Sequence, residues 1–170
     1  MATSMYQNSV PTIKRALTNL IAVLEKGAAH AEAKKIDPSV LVNARLYPDM
    51  FPLVKQIQIA ADVSRIGCAR LAQVEPPKAE DKEKTFPEMI ERLKSTIAYL
   101  DTLKPAQIDG AEERTVTWTA QEKTHSMPGM NYLHWRILPN VFFHCATAYN
   151  ILRHNGVEVG KTDFLGKLTA

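Results

Sequence analysis

A chain of 170 residues, 45% of them hydrophobic, is long enough for one domain around a single core and short for two. Its net charge of +3 is dispersed without a basic block, which argues against a nucleic-acid partner. No apolar run reaches the roughly 18 residues that span a bilayer, and the start MATSMYQNSV has neither a basic beginning nor an apolar signal core, so a cytoplasmic protein with no membrane association is expected.

Ser4 can cap a first helix whose stripe runs through Val10, Ile13, Leu17, Leu20, Ile21 and Leu24 until Gly27 interrupts it. Pro11 falls early enough to be tolerated, at the loss of one backbone hydrogen bond. The following AAHAEAKK has high helix propensity and little apolar surface, which predicts an exposed turn or two of helix. Asp37-Pro38 places a capping side chain before a proline at the first helical position and starts a short helix that Pro48 ends.

Asp49 reads as the cap of the second long helix, with Pro52 in its first turn and an inward stripe of Met50, Leu53, Val54, Ile57, Ala61, Ser64, Cys68 and Leu71 ending near Gln73. VEPPKAEDKEK then mixes prolines and charges without an apolar period, as a solvated linker does. Thr85 and Glu88 form a capping box for the third long helix, whose stripe of Phe86, Met89, Ile90, Leu93, Ile97 and Leu100 runs to Leu103. Thr115 to Thr119 are β-branched or aromatic and predict a short hairpin with residues near Lys123 to His125, an appendage too small to carry a sheet core.

Residues 129 to 156, GMNYLHWRILPNVFFHCATAYNILRHNG, carry the longest helical pattern and three of the five histidines. Leu138, Val141, Phe142, Cys145, Tyr149 and Leu152 make an apolar arc, and Asn140 and His144, four residues apart, share a face beside it. Pro139 removes a backbone hydrogen bond to Trp135 and predicts a kink that frees a carbonyl next to Asn140. Arg153 and His154 suit the negative helix end, and Asn155-Gly156 suits its left-handed cap. Phe164 and Leu165 in the tail are expected to fold back over the bundle, with the last few residues frayed. Cys68 and Cys145, both in apolar helical patterns, are expected as buried reduced thiols.

Four long amphipathic helices predict an all-α bundle with a short β-hairpin appendage before the last helix. Three segments, SMYQNSVP, ARLYPDMFPLVKQIQIAAD and NYLHWRILPNVFFHCATAYNILRHNGVEVGKTDFLG, span nearly the whole chain and resemble the signature blocks of one branch of the DinB-like superfamily, a domain of unknown function. The resemblance implies an up-down-down-up four-helix bundle, often a homodimer. It also implies a place for a divalent metal, held in metal-binding members by one histidine of the second helix and a His-x-x-x-His pair of the fourth. On this chain His144 takes the last of those positions, Asn140 stands at the first of the pair and Gln56 at the second-helix position. Two neutral amides and one imidazole are poor ligands for zinc or nickel, so a degenerate site without a tightly bound divalent metal is expected, and the sequence names no cofactor for or against.

His134, His144 and His154 cannot rebuild that site, because successive members lie about 15 Å apart along one helix and some 80 degrees apart around it. Three readings remain. In an enzyme, His144 is a catalytic general acid or base steadied by Asn140, with Asp49, Gln56 and Tyr132 or Tyr149 positioning a small substrate; relatives with a thiol-cofactor-dependent transferase or isomerase activity rely on the metal. In a small-molecule binder, Gln56, Asn140 and His144 orient a ligand by hydrogen bonds, and His134 can line the cavity mouth. In a structural or dimerisation protein, the same residues are a remnant polar cluster. No Gly-rich phosphate loop, Cys-x-x-Cys pair or Gly-x-Ser-x-Gly elbow is present.

Overall fold

In the computed structural model, residues 4–120 and 122–167 are described. Helix α1 (Met5–Lys34) begins at the Ser4 hydroxyl, which accepts the Gln7 amide at 3.3 Å, and ends at Lys35 in the left-handed region. AAHAEAKK forms the expected helical continuation beyond Gly27, within the same helix. Gly27 is buried, and a Cβ there would stand 2.9 Å from the Phe86 ring and 3.1 Å from Leu152. Its missing side chain lets three helices approach closely and does not end the first.

Asp37 accepts the Ser39 amide at 2.9 Å and starts α2 (Pro38–Val42), which stops well before Pro48. Helix α3 (Leu53–Ala72) has Pro52, not Asp49, at its cap. The reason is local: the Leu53 amide donates to the Ala44 carbonyl at 2.9 Å, and Pro52 in extended conformation has no amide to satisfy. Helix α4 (Phe86–Thr102) carries the expected capping box, with the Thr85 amide donating to the Glu88 carboxylate at 3.0 Å and the Glu88 amide to the Thr85 hydroxyl. A one-turn helix, α5 (Pro105–Ile108), follows.

Strands β1 (Thr115–Ala120) and β2 (Lys123–Pro128) pair antiparallel, with Trp118 opposite His125. Val116 and Trp118 point to the buried side, as the alternation in β1 requires. Gly129 closes the hairpin against the backbone of Ala111, where a Cβ would stand 2.1 Å from the carbonyl oxygen, and donates its amide to the Arg114 carbonyl at 2.8 Å.

The fourth long helical stretch is α6 (Gly129–Asn131), a π-helical turn over Tyr132–Ile137, and α7 (Leu138–His154). A kinked α-helix with Pro139 in its interior was the expectation. Instead Pro139 lies in the first turn of α7, where an absent N–H does no harm, and the preceding turn is widened: the Leu138 amide reaches back five residues to the Leu133 carbonyl. The buried arc of α7 passes through Val141, His144, Cys145, Ala148, Ile151 and Leu152, while Phe142 is 39% exposed. Helix α8 (Lys161–Leu165) folds the tail over α1, where the Asn19 amide group donates to the Phe164 carbonyl at 3.0 Å and Lys26 pairs with Asp163 at 2.7 Å. The expected fraying of the last residues concerns positions 168–170, outside the described residues.

Helices α1 and α3 each pack against both α4 and α7, and the buried apolar side chains form one continuous cluster. Cys68 and Cys145 are free and buried within it, and burial pushes both thiols up to about 12. The segment 73–85 is largely exposed, as expected of a solvated linker, yet it is anchored. Arg92 donates to the Glu80 carbonyl at 2.9 Å and pairs with Glu83 at 3.1 Å and Asp62 at 2.7 Å, and Arg65 pairs with Asp62 at 2.8 Å and donates to the Pro77 carbonyl.

Candidate functional site

His144 projects from α7 toward α3, where Nδ1 lies 2.7 Å from the Gln56 side-chain oxygen. Gln56 is buried and its orientation is fixed, because its NH2 group donates to the Phe51 carbonyl at 2.9 Å and the oxygen is thereby turned to the imidazole. An amide oxygen can only accept, so Nδ1 carries the proton. The neutral ring then has its lone pair on Nε2, for which no described residue supplies a partner. Burial lowers the His144 pKa from its ordinary 6.5, which keeps this neutral tautomer at pH 7.

The exposed edge of His144 opens into a cleft of about 530 Å³ lined also by Trp118, Trp135, Arg136, Asn140 and Phe143. Trp135 and Phe143 are 70% and 58% exposed, giving the cleft an apolar rim, and the Phe143 ring meets the His144 ring edge-on at 5.2 Å. Arg136 crosses the indole of Trp118 at 4.9 Å from its centre, a cation–π contact, and the other ring contacts of Trp118 are a stack on His125 at 5.3 Å and a tilted contact with Tyr132 at 5.1 Å.

Three residues singled out in the sequence meet here: Gln56 and His144 directly, and Asn140 on the cleft wall one turn above His144. Among the described residues no hydrogen bond joins Asn140 to His144, since the oxygen of Gln56 already occupies Nδ1. Four other candidates fall elsewhere. Asp49 is exposed in the loop before α3 and does not line the cleft. His134 points to solvent from the π turn, because the widened turn aims Leu133 and Ile137 inward. Tyr149 lies about one and a half turns farther along α7, where it packs edge-on against Phe164 at 6.1 Å and its hydroxyl donates to the Val159 carbonyl at 3.4 Å. Tyr132 is buried behind Trp118, and its hydroxyl accepts from Arg70 at 3.0 Å in a separate, second cleft.

Sequence reasoning missed Trp118, Trp135, Arg136 and Phe143. The alternation of β1 marks Trp118 as inward-facing, but only the folded hairpin brings it to the start of α7.

Neither the positions nor the chemistry of Gln56, Asn140 and His144 fit a zinc- or nickel-type centre. The Gln56 oxygen faces His144 Nδ1, so it cannot share an ion with Nε2, and among the described residues no three His, Cys, Asp or Glu side chains converge.

The chain is mainly helical with a two-stranded hairpin directly before its last long helix, an arrangement consistent with a DinB-like fold. The structure is similar to the crystal structure of a DinB family member protein from Shewanella denitrificans, with a TM-score of 0.88 and 40% sequence identity, covering 97% of this chain and 93% of that one. Residues 5–165 match the family described as Domain of unknown function (DUF1993), and the chain belongs to that family. No curated protein sequence matches it.

Proposed function

We propose that the His144 cleft is a binding site for a small molecule that donates a hydrogen bond to Nε2, without a tightly held metal. The observation that carries this reading is the 2.7 Å contact between His144 Nδ1 and the Gln56 oxygen, which fixes the tautomer and leaves one acceptor lone pair unused at the edge of the cleft. The apolar rim of Trp135 and Phe143 suits a ligand with a flat or aliphatic body, and Arg136 and Asn140 are within the same walls for its polar substituents. The unprotonated Nε2 at the cleft edge supports a second reading on the same atom, in which it acts as a general base toward a bound hydroxyl, amine or thiol.

In this proposal the chain is a single domain, the four long helices run up-down-down-up, and two copies associate. Sedimentation velocity checks the last point, a mass of one chain being the contrary result. The site itself is tested by screening small alcohols, amines, thiols and heteroaromatic N–H compounds by thermal shift and by NMR of the His144 ring. Compounds that bind the wild-type protein and lose affinity in His144→Phe support the reading. Equal binding to His144→Phe would contradict it.

A further inference from the structure

On the other side of the Trp118 and Arg136 wall lies a second cleft, of about 190 Å³, between α3 and the π turn. Its polar lining is unbalanced toward donors. Arg70 spends one N–H on the Tyr132 hydroxyl oxygen at 3.0 Å and has no carboxylate partner among the described residues. Because that oxygen accepts from Arg70, the phenolic proton of Tyr132 is left to donate, and no described residue receives it. Arg136 has its cation–π contact with Trp118 and, among the described residues, no hydrogen-bond acceptor. The one carboxylate in the lining, Asp62, is already paired with Arg65 at 2.8 Å and with Arg92 at 2.7 Å. The rest of the wall is Val63, Ile66, Gly67 and Ile137, with the Trp118 indole and Thr119 completing it.

Two guanidinium groups without a carboxylate partner and a buried phenol whose proton has no acceptor, all among the described residues, describe a site for an oxyanion. The aliphatic wall selects an anion with a short apolar stem, and the volume lies below the roughly 300–1,000 Å³ of sites for larger ligands. We propose that this second cleft binds a short-chain carboxylate, with Arg70, Arg136 and the Tyr132 hydroxyl holding the carboxylate and Val63, Ile66 and Ile137 covering the stem. The proposal does not rest on the His144 reading, since Arg70, Tyr132 and Ile66 line only the second cleft and His144 only the first.

The test is a ¹H–¹⁵N NMR titration of the full chain with butyrate, acetate and inorganic phosphate at constant ionic strength, following the Gly67 amide and the Trp118 indole. Butyrate is expected to shift both signals saturably and to bind more tightly than acetate or phosphate. Arg70→Gln should weaken butyrate binding by roughly ten- to a hundredfold, the loss of a charge-assisted contact. Tyr132→Phe keeps the packed ring and the Arg70 charge while removing the neutral hydroxyl, both as donor and as acceptor of the Arg70 N–H, so it should weaken binding less, and His144→Phe should leave it unchanged. Butyrate shifts that do not saturate, an unchanged affinity in a folded Arg70→Gln protein, or phosphate binding more tightly than butyrate would each overturn the assignment.

Discussion

Two polar regions are built into this helical core, and they are satisfied to different degrees. Around Arg92 the charges pair with one another: Asp62 takes both arginines, Glu83 takes Arg92 and the Gln58 amide, and backbone carbonyls of the linker take further N–H groups, while the buried Nε–H groups of Arg65 and Arg92 have no partner among the described residues. Around His144 a single amide is matched to one ring nitrogen and the other nitrogen is left at a cleft edge. A closed network fixes the 73–85 segment to α3 and α4, and its chemistry is spent on structure. An open one keeps a lone pair available, which is what a binding site requires.

Breaking the closed network should have the largest effect on stability. Arg92→Leu leaves Asp62 and Glu83 without their shared cation and should destabilise the fold by about 3–4 kcal/mol, read from urea unfolding, without altering ligand binding at His144. At the open site, Gln56→Leu should cost about 1–2 kcal/mol, because both the His144 Nδ1 proton and the Phe51 carbonyl lose their partner. Arg92→Leu should therefore be the more destabilising of the two, and a larger loss in Gln56→Leu would contradict a structural role for the Arg92 network.

A smaller effect follows from pH. The folded pKa of His144 is depressed by burial, so the unfolded chain takes up a proton at this residue before the native protein does. Its contribution is therefore fully present above the unfolded value near 6.5 and declines as pH falls below it toward the folded pKa. Urea midpoints between pH 7.5 and 5 should fall for the wild type and fall less for His144→Phe. The smallest change is expected at the exposed pair of Lys14 and Asp101, where Lys14→Ala should alter stability by no more than about 0.5 kcal/mol in the same unfolding assay.

Helices and caps were largely legible because their signals are local. The Thr85–Glu88 box, the Asp37-Pro38 start and the hairpin all rest on residues within a few positions of one another. The packing role of Gly27 was hidden for the opposite reason: it depends on Phe86 and Leu152, far away in sequence. Pro139 signalled a distortion but not its form, since an isolated helix could bend or widen and the packing of Leu133 and Ile137 decides for the π turn. At the site, resemblance to the DinB-like pattern placed Gln56 with His144, a pairing that spacing alone could not give across 88 residues. Arg136 and Trp118 stayed hidden because their partnership exists only once the hairpin is docked.

The most direct measurement is ¹⁵N NMR of the His144 imidazole at pH 7.5, where the account predicts a protonated Nδ1, an unprotonated Nε2, and loss of this preference in Gln56→Leu. A ring carrying its proton on Nε2, or a fully protonated imidazolium at that pH, would contradict it.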